Sequence, residues 1–180
     1  MKLIHPLAWL FFIGVLSFDI FQYIDLVHVQ GIPGNLFGLP LLSSAEASAQ
    51  LFTWASFPTR AGGTVLDATR LNTQWDFLFI VGYVSILIIL SYNQMQRESR
   101  PWLNTLLRFG FLLAIVGGIF DAIENVFLLA DMTPYNAMHH CYYSPFVFSV
   151  GKFVFGGWVL VVWLFSLVTA KQRAWPQPIN

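Results

Sequence analysis

Four long apolar runs, separated by more polar stretches, dominate the pattern of residues along the chain. They cover about 6–29, 76–92, 107–130 and 145–170. An α-helix needs roughly 20 mostly apolar residues to cross a bilayer. The pattern therefore predicts an all-α polytopic membrane protein, with a single domain over 1–180 built as a bundle of four transmembrane helices.

The connection between the first two runs carries helix signals of its own. Ser43 followed by Glu46 is a capping box, which is typical of the first turn of a helix. A short interfacial helix ending near Pro58 is therefore predicted. Its apolar face is predicted to consist of Leu51, Phe52, Trp54 and Ala55. Thr64 and Asp67 predict a further helix start that leads directly into the second run.

The third run carries charged and amide side chains, those of Asp121, Glu124 and Asn125. Each central acid costs ~2.5–3.5 kcal/mol on an insertion scale, and each large aliphatic or Phe residue returns only ~0.3–0.6 kcal/mol. Gly117, Asp121, Glu124 and Leu128 recur at the spacing of one helix face, so the acids share a stripe. The stripe is predicted to face other helices or a wet cavity, because lipid would leave the acids without partners.

The other runs place polar residues at a similar depth. At a rise of ~1.5 Å per residue, Asp19, Tyr83 and Lys152 fall at about the level of Asp121 and Glu124. Nearer the outer surface lie Asp25, His28, Asp76, His139 and His140. This arrangement predicts a funnel that opens outward, with carboxyl groups at its floor and Tyr and His at its rim.

Charge balance makes this layer unusual. The apolar runs hold the carboxyl groups of Asp19, Asp25, Asp121 and Glu124 but only one ammonium group, that of Lys152. Like charges repel strongly where the dielectric constant is low. The predicted layer therefore needs protons on some of its acids or a cation among them.

A purely structural alternative uses the same residues. Lys152 forms a buried ion pair with Asp121 or Asp19 in this alternative. The amides of Asn125 and Gln22 then join helices through hydrogen bonds worth ~1 kcal/mol each.

Basic residues predict the orientation in the membrane. Basic residues from three separate segments lie on the predicted side that also carries both ends of the chain: Lys2, Arg97, Arg100, Arg108, Lys171 and Arg173. The positive-inside rule places this side in the cytoplasm. The predicted location is therefore a bacterial inner (plasma) membrane, with both termini cytoplasmic.

Composition and motifs exclude several classes of protein. Only 10% of the 180 residues are charged, against about 25% in soluble domains. The net charge is zero and the chain has no Lys/Arg cluster, so no nucleic-acid partner is predicted. The single Cys141 cannot form an intrachain disulfide, and no motif identifies a cofactor. Gly117-Gly118 and Gly156-Gly157 are predicted to allow close contact between helices.

Three functions fit this pattern. In the first, an outward-facing acidic intramembrane pocket binds a small amphipathic or cationic ligand, such as a lipid, or handles protons. The ligand-binding residues are then Asp19, Asp25, Asp76, Tyr83, Asp121, Glu124, Asn125 and Lys152.

The second function is a metal-assisted hydrolase at the outer leaflet. Asp121 or Glu124 is the catalytic base in this hypothesis, and the metal ligands come from His28, His139 and His140. In the third function the chain is a non-catalytic subunit of a larger membrane complex, and its acids pair with basic residues of a partner. A homo-oligomer also fits the sequence.

Two resemblances add expectations about architecture. One ordered set of residues resembles an uncharacterised family of small four-span membrane proteins in bacteria, which implies a topology and assigns no activity. It consists of Trp54, Gly63, Asp76-Phe77-x-Phe79, Tyr83 and Asp121-x-x-Glu124-Asn125. In architecture alone, the four spans and buried acids are similar to EXPERA-domain proteins, which bind sterol-like or cationic lipophilic ligands.

Overall fold

The protein is all-α, as the apolar runs predict. The computed structural model describes residues 4–24, 39–59, 62–139 and 142–173. Apart from one isolated bridge between Pro58 and Thr64, these residues form helices and short connections. The helices are α1 (Ile4–Ile24), α2 (Ser44–Ser56), α3 (Val65–Arg97), α4 (Pro101–Asp131), α5 (Pro134–Met138) and α6 (Phe146–Arg173).

Four of these helices, α1, α3, α4 and α6, are long and apolar enough to cross a membrane, which identifies a multi-pass membrane protein. α3 and α4 are longer than the predicted spans. α3 begins at Val65 because Thr64 and Asp67 form a capping box in front of it. α4 begins at Pro101, since proline suits the first position of a helix.

The bundle is organised around α3. α4 packs along both α3 and α6, and α6 also contacts α3. α1 completes the bundle by packing on α3 through aromatic side chains. Phe12 stacks on Phe79 with ring centroids 5.9 Å apart, and Phe18 meets Trp75 edge to face at 5.4 Å. These two contacts show that α1 and α3 run antiparallel.

Glycines bring α4 close to its neighbours. A Cβ added at Gly118 would lie 2.6 Å from Val84 Cγ2 on α3, and one at Gly117 would lie 3.4 Å from Phe155 Cβ on α6. The prediction of close contact is therefore confirmed for this pair. Gly156 and Gly157 differ, because a Cβ added at either would meet no atom of another helix within 4 Å in the part of the chain that the structure describes. Neither has to be glycine for the helices to pack.

Residues 39–59, which lie between α1 and α3 in the sequence, pack over one end of the bundle, which we call the cap end. The predicted helix is confirmed as α2, and its capping box is formed by Ser43 and Glu46. Trp54, a residue of α2, is fully buried. The apolar cluster of the cap end comprises Leu39, Ala47, Leu51, Trp54, Val65, Leu66, Leu128, Met132 and Ala137. The opposite end, where Arg97, Arg100 and Arg108 flank the α3–α4 connection, is called the arginine end.

The close approach of α4 to α3 predicts the effect of a single methyl group. Gly118→Ala should lower the free energy of unfolding in detergent by about 1–3 kcal/mol, because the new Cβ overlaps Val84. Gly157→Ala is the matched control and should be neutral or stabilising by roughly 0.5–1 kcal/mol. Equal stability of the two variants would contradict this packing.

The α2 capping box predicts a local response to pH. The hydrogen bond from the Ser43 hydroxyl lowers the pKa of Glu46. A lowered pKa means that this stabilisation is complete above the ordinary glutamate value of ~4.3 and is lost as the pH falls below it. Carboxyl NMR should find that Ser43→Ala moves the pKa of Glu46 upward. An unchanged titration would show that the capping box does not form in solution.

Candidate functional site

A lysine and two carboxylates form the centre of the candidate site. Lys152 Nζ on α6 donates to Asp121 Oδ1 at 2.6 Å and lies 2.8 Å from Glu124 Oε2. Both acids come from α4, where their three-residue spacing places them on one helix face. The structure therefore contains the ion pair between Lys152 and Asp121 that the structural alternative predicts, with Glu124 as a second anion.

Two further hydrogen bonds tie α3 to these acids. Tyr83 donates its hydroxyl proton to Asp121 Oδ2 at 3.0 Å, and Asn125 Nδ2 donates to Asp76 Oδ2 at 2.7 Å. Three helices thus meet through side chains. We call the six residues the polar layer: Asp76, Tyr83, Asp121, Glu124, Asn125 and Lys152.

The polar layer is buried unevenly. Asp121, Glu124 and Asn125 on α4 are buried, whereas Asp76, Tyr83 and Lys152 are partly exposed. Side-chain exposure falls from 18% for Lys152 to 7% for Asp121 and 4% for Glu124. Taking charges out of water is costly, and only good geometry and complete hydrogen bonding offset that cost. The open edge of the layer therefore lies on the side formed by α3 and α6.

Acceptor oxygens without donors line the interface between α1 and α3. Asp19 Oδ1, Gln22 Oε1 and Asn72 Oδ1 are buried atoms with no hydrogen-bond partner in the part of the chain that is described. The antiparallel register that Phe18 and Trp75 set places Asp19 beside Asp76, and Gln22 about one turn further, at the level of Asn72. We call Asp19 Oδ1, Gln22 Oε1 and Asn72 Oδ1 the seam oxygens.

Apolar side chains close the layer toward both ends of the bundle. Toward the cap end, Leu128 and Met132 are buried on α4, and Thr73 on α3 contacts the Met132 sulfur at 4.0 Å. Toward the arginine end, Leu87, Ala114 and Val159 form a buried cluster, the apolar plug. Among the described residues, packed side chains thus lie between the polar layer and the cap end, where the sequence predicts a funnel open to the outside.

The structure separates His139 from the layer. His139 ends α5, is exposed and stacks on Tyr135 with ring centroids 4.2 Å apart. No three His, Cys, Asp or Glu side chains are grouped as metal ligands within the described ranges. Asp25, His28 and His140 lie outside the described residues.

A second polar network, at the arginine end, was not predicted. The Glu98 side chain is only 1% exposed and receives two hydrogen bonds of 2.9 Å from Arg100. Ser166 donates to Glu98 Oε2 at 3.0 Å, and Gln94 donates to Ser166 Oγ at 2.8 Å. The Glu98 bonds raise the pKa of Arg100 above its ordinary value. A sequence signal existed, because Gln94 and Glu98 are four residues apart, the spacing of side chains on one face of a helix.

The cap end holds a separate open cleft. Its volume is about 400 Å³, and it is lined by Ser44, Ala45, Ser48 and Tyr142. The Tyr142 hydroxyl donates to the Leu39 carbonyl at 3.0 Å. None of these lining residues is charged, so the cleft lacks the chemistry of the polar layer.

No protein-family model matches the chain, and neither the curated proteins nor the solved structures include a significant match. Both resemblances drawn from the sequence therefore stay predictions.

The geometry of Asp121 predicts energetic coupling with Tyr83. Tyr83→Phe should cost about 1.5–3 kcal/mol, because the lost hydrogen bond ends on a charged group. Asp121→Asn should cost about 3–5 kcal/mol, because it breaks a buried ion pair. The double variant should lose less than the sum of the two, as both changes remove the same bond.

Stability in mixed micelles, measured by titration with denaturing detergent, checks this coupling. Tyr92→Phe is the matched control, because no hydrogen bond of the Tyr92 hydroxyl is present among the described residues. Strict additivity of Tyr83→Phe and Asp121→Asn would contradict the hydrogen bond between them.

Proposed function

We propose that the chain is an integral membrane protein whose polar layer binds a small cationic or amphipathic ligand within the membrane. The observation that carries this proposal is the surplus of acid. Lys152 is the one ammonium group beside the carboxyl groups of Asp19, Asp76, Asp121 and Glu124 in the described part of the chain. A purely structural ion pair would need a single acid.

The pairing within the layer indicates where a ligand would bind. Lys152 is already shared by Asp121 and Glu124, and Asn125 donates to Asp76. Asp19 has no such donor among the described residues. The unmet demand for positive charge and for hydrogen-bond donors is therefore concentrated between α1 and α3, beside Asp76.

The proposed setting is a bacterial inner membrane. Arg97, Arg100 and Arg108 flank the α3–α4 connection, and the positive-inside rule favours the cytoplasm for this end. Both termini then lie in the cytoplasm, and the cap end faces outward. Membrane lipid surrounds the apolar faces of the four spans.

Proton handling is a second candidate function, and one observation favours it. Tyr83, Asp121, Lys152 and Glu124 form a continuous chain of hydrogen-bonded or ion-paired groups. A proton displaced by a bound cation would then leave the layer on binding. Calorimetry in buffers of different ionisation enthalpy tests this: an apparent binding enthalpy that is independent of the buffer would exclude it.

The other two hypotheses gain no support from the geometry. The metal-assisted hydrolase lacks a ligand set among the described residues, since His139 is stacked on Tyr135 at the surface. The subunit hypothesis and a homo-oligomer both stay open. Purification in mild detergent tests the subunit hypothesis. A stoichiometric partner would support it, and a clean monomer or homodimer would count against it.

The acid surplus predicts selective stabilisation by amines. Alkylamines should raise the melting temperature of the purified protein, and alcohols of equal chain length should not, because only the ammonium group meets the charge of the layer. Asp19→Asn and Asp76→Asn should each reduce this shift by at least half. Differential scanning fluorimetry measures it.

Glu46→Gln is the control for this experiment. It removes an exposed acid that is far from the layer and keeps a residue that suits the capping box. If amines stabilise the wild type no more than alcohols do, the proposed function is wrong. If Glu46→Gln reduces the shift as much as Asp76→Asn, the effect comes from net charge alone.

A further inference from the structure

The helices around α3 leave one side of the polar layer open. We take Trp75, which contacts α1, as the origin and count about 100° per residue. Phe79 then lies at about 40°, Tyr83 at about 80°, Asp76 at about 100° and Val84, which faces α4, at about 180°. The polar residues of α3 therefore lie between the side that holds α1 and the side that holds α4.

α6 packs against the same side of α3, but it leaves a gap between itself and α1. Gln94 lies at about 100° on the same count and bonds to Ser166 of α6. α1 packs along α3, and in the described residues it makes at most sparse contact with α6. The face of α3 that carries Asp76 and Tyr83 is therefore left partly exposed between α1 and α6, and we call this gap the lateral cleft.

The wall that α6 contributes to this cleft has unfilled space. Gly156 follows Lys152 by one helical turn and precedes buried Val159, so it lies on the inward face of α6. A Cβ at Gly156 would nevertheless meet no atom of another helix within 4 Å among the described residues. Residues that face a well-packed interior rarely have such space. An apolar chain could therefore lie over Gly156, directly beside the ammonium group of Lys152.

The seam oxygens are buried acceptor atoms to which no described residue donates a hydrogen bond. The seam oxygens come from one carboxyl group and two amides, and each is buried. An alkylammonium group has three N–H donors and no acceptor, so it supplies what this set lacks. A phosphate or sulfate headgroup would add further acceptors and negative charge. The acids of the layer repel such a headgroup.

We propose that the ligand is a single-chain alkylammonium amphiphile that enters sideways from the bilayer, through the lateral cleft between α1 and α6. Its ammonium group binds beside Asp19 and Asp76, and its alkyl chain lies over Gly156. This inference rests on the proposed function and adds the class of ligand and its route. The packed cap end and the apolar plug leave the lateral cleft as the open approach among the described residues.

Filling the cleft without changing its charge tests the route. Gly156→Leu places a side chain in the space beside Lys152, and Gly157→Leu is the matched control on a different face of the same helix. Dodecylamine and propylamine are titrated into the full chain in nanodiscs of zwitterionic lipid, and binding is measured by calorimetry. Dodecyl sulfate and calcium chloride serve as an anionic amphiphile and a simple cation.

We expect dodecylamine to bind the wild type, with affinity about tenfold lower in Gly156→Leu and unchanged in Gly157→Leu. Propylamine should bind more weakly and be indifferent to both changes, because it has no long chain to place over Gly156. Gly156→Ala, a milder change, should give a smaller loss if the leucine variant does not fold.

Each contrary result overturns a different statement. Equal affinity of dodecylamine for Gly156→Leu, Gly156→Ala and the wild type would sink the lateral route and leave the proposed function intact. Equal affinity of the wild type for both amines would show that the alkyl chain does not contribute to binding and would exclude an amphiphilic ligand. Binding of dodecyl sulfate or of calcium in place of amines would exclude the alkylammonium class, and no binding of any cation would end the proposed function as well.

Discussion

The contact on which this structure depends is the one between the Lys152 ammonium group and the carboxylates of Asp121 and Glu124. Neither acid could be buried in an apolar helix alone, because removing one partner of a buried pair leaves an uncompensated charge. Sharing the lysine lets α4 cross the middle of the bundle with its acidic face inward. Two hydrogen bonds, from Tyr83 to Asp121 and from Asn125 to Asp76, also hold α3 against this acidic face of α4.

The rest of the bundle isolates this contact. The cluster of the cap end covers it on one side, and the apolar plug of Leu87, Ala114 and Val159 separates it from the Glu98 network on the other. Two polar networks are therefore held in one protein by different means. The Glu98 network pairs one acid with Arg100 and two polar side chains, whereas the polar layer has more acid than its single lysine can balance. The difference in charge distinguishes a structural network from a candidate binding site.

Much of the fold could be predicted because its causes are local. Hydropathy fixes the four long helices, and the capping boxes at Ser43 and Thr64 fix the starts of α2 and α3. Helical spacing placed Asp121 and Glu124 on one stripe, and charge indicated Lys152 as the partner of Asp121 or Asp19. All of these depend on residues that are close in sequence or on the few charges that an apolar helix carries.

The remainder depends on how helices pack, which spacing along one chain does not reveal. Nothing in the run around Asp19 says that, among the described residues, α1 packs mainly on α3. Counting depth along each span therefore predicted a funnel open to the outside, whereas the structure leaves the polar layer partly exposed at its side. Glu98 looked like part of a basic loop because its partner Ser166 lies on α6, 68 residues further along the chain. The space at Gly156 was equally hidden, since a glycine pair reads the same whether it faces a neighbour or a void.

The length of α3 has a mechanical consequence. Its 33 residues extend about 50 Å at the ordinary helical rise, while the hydrocarbon core of a bilayer is about 30 Å thick. A single helix without proline therefore connects the cap end to the arginine end. A tilt of about 5° would displace its far end by roughly 4 Å. A change at Asp76 that tilts α3 would therefore move both ends of this helix, at the cap end and at the arginine end.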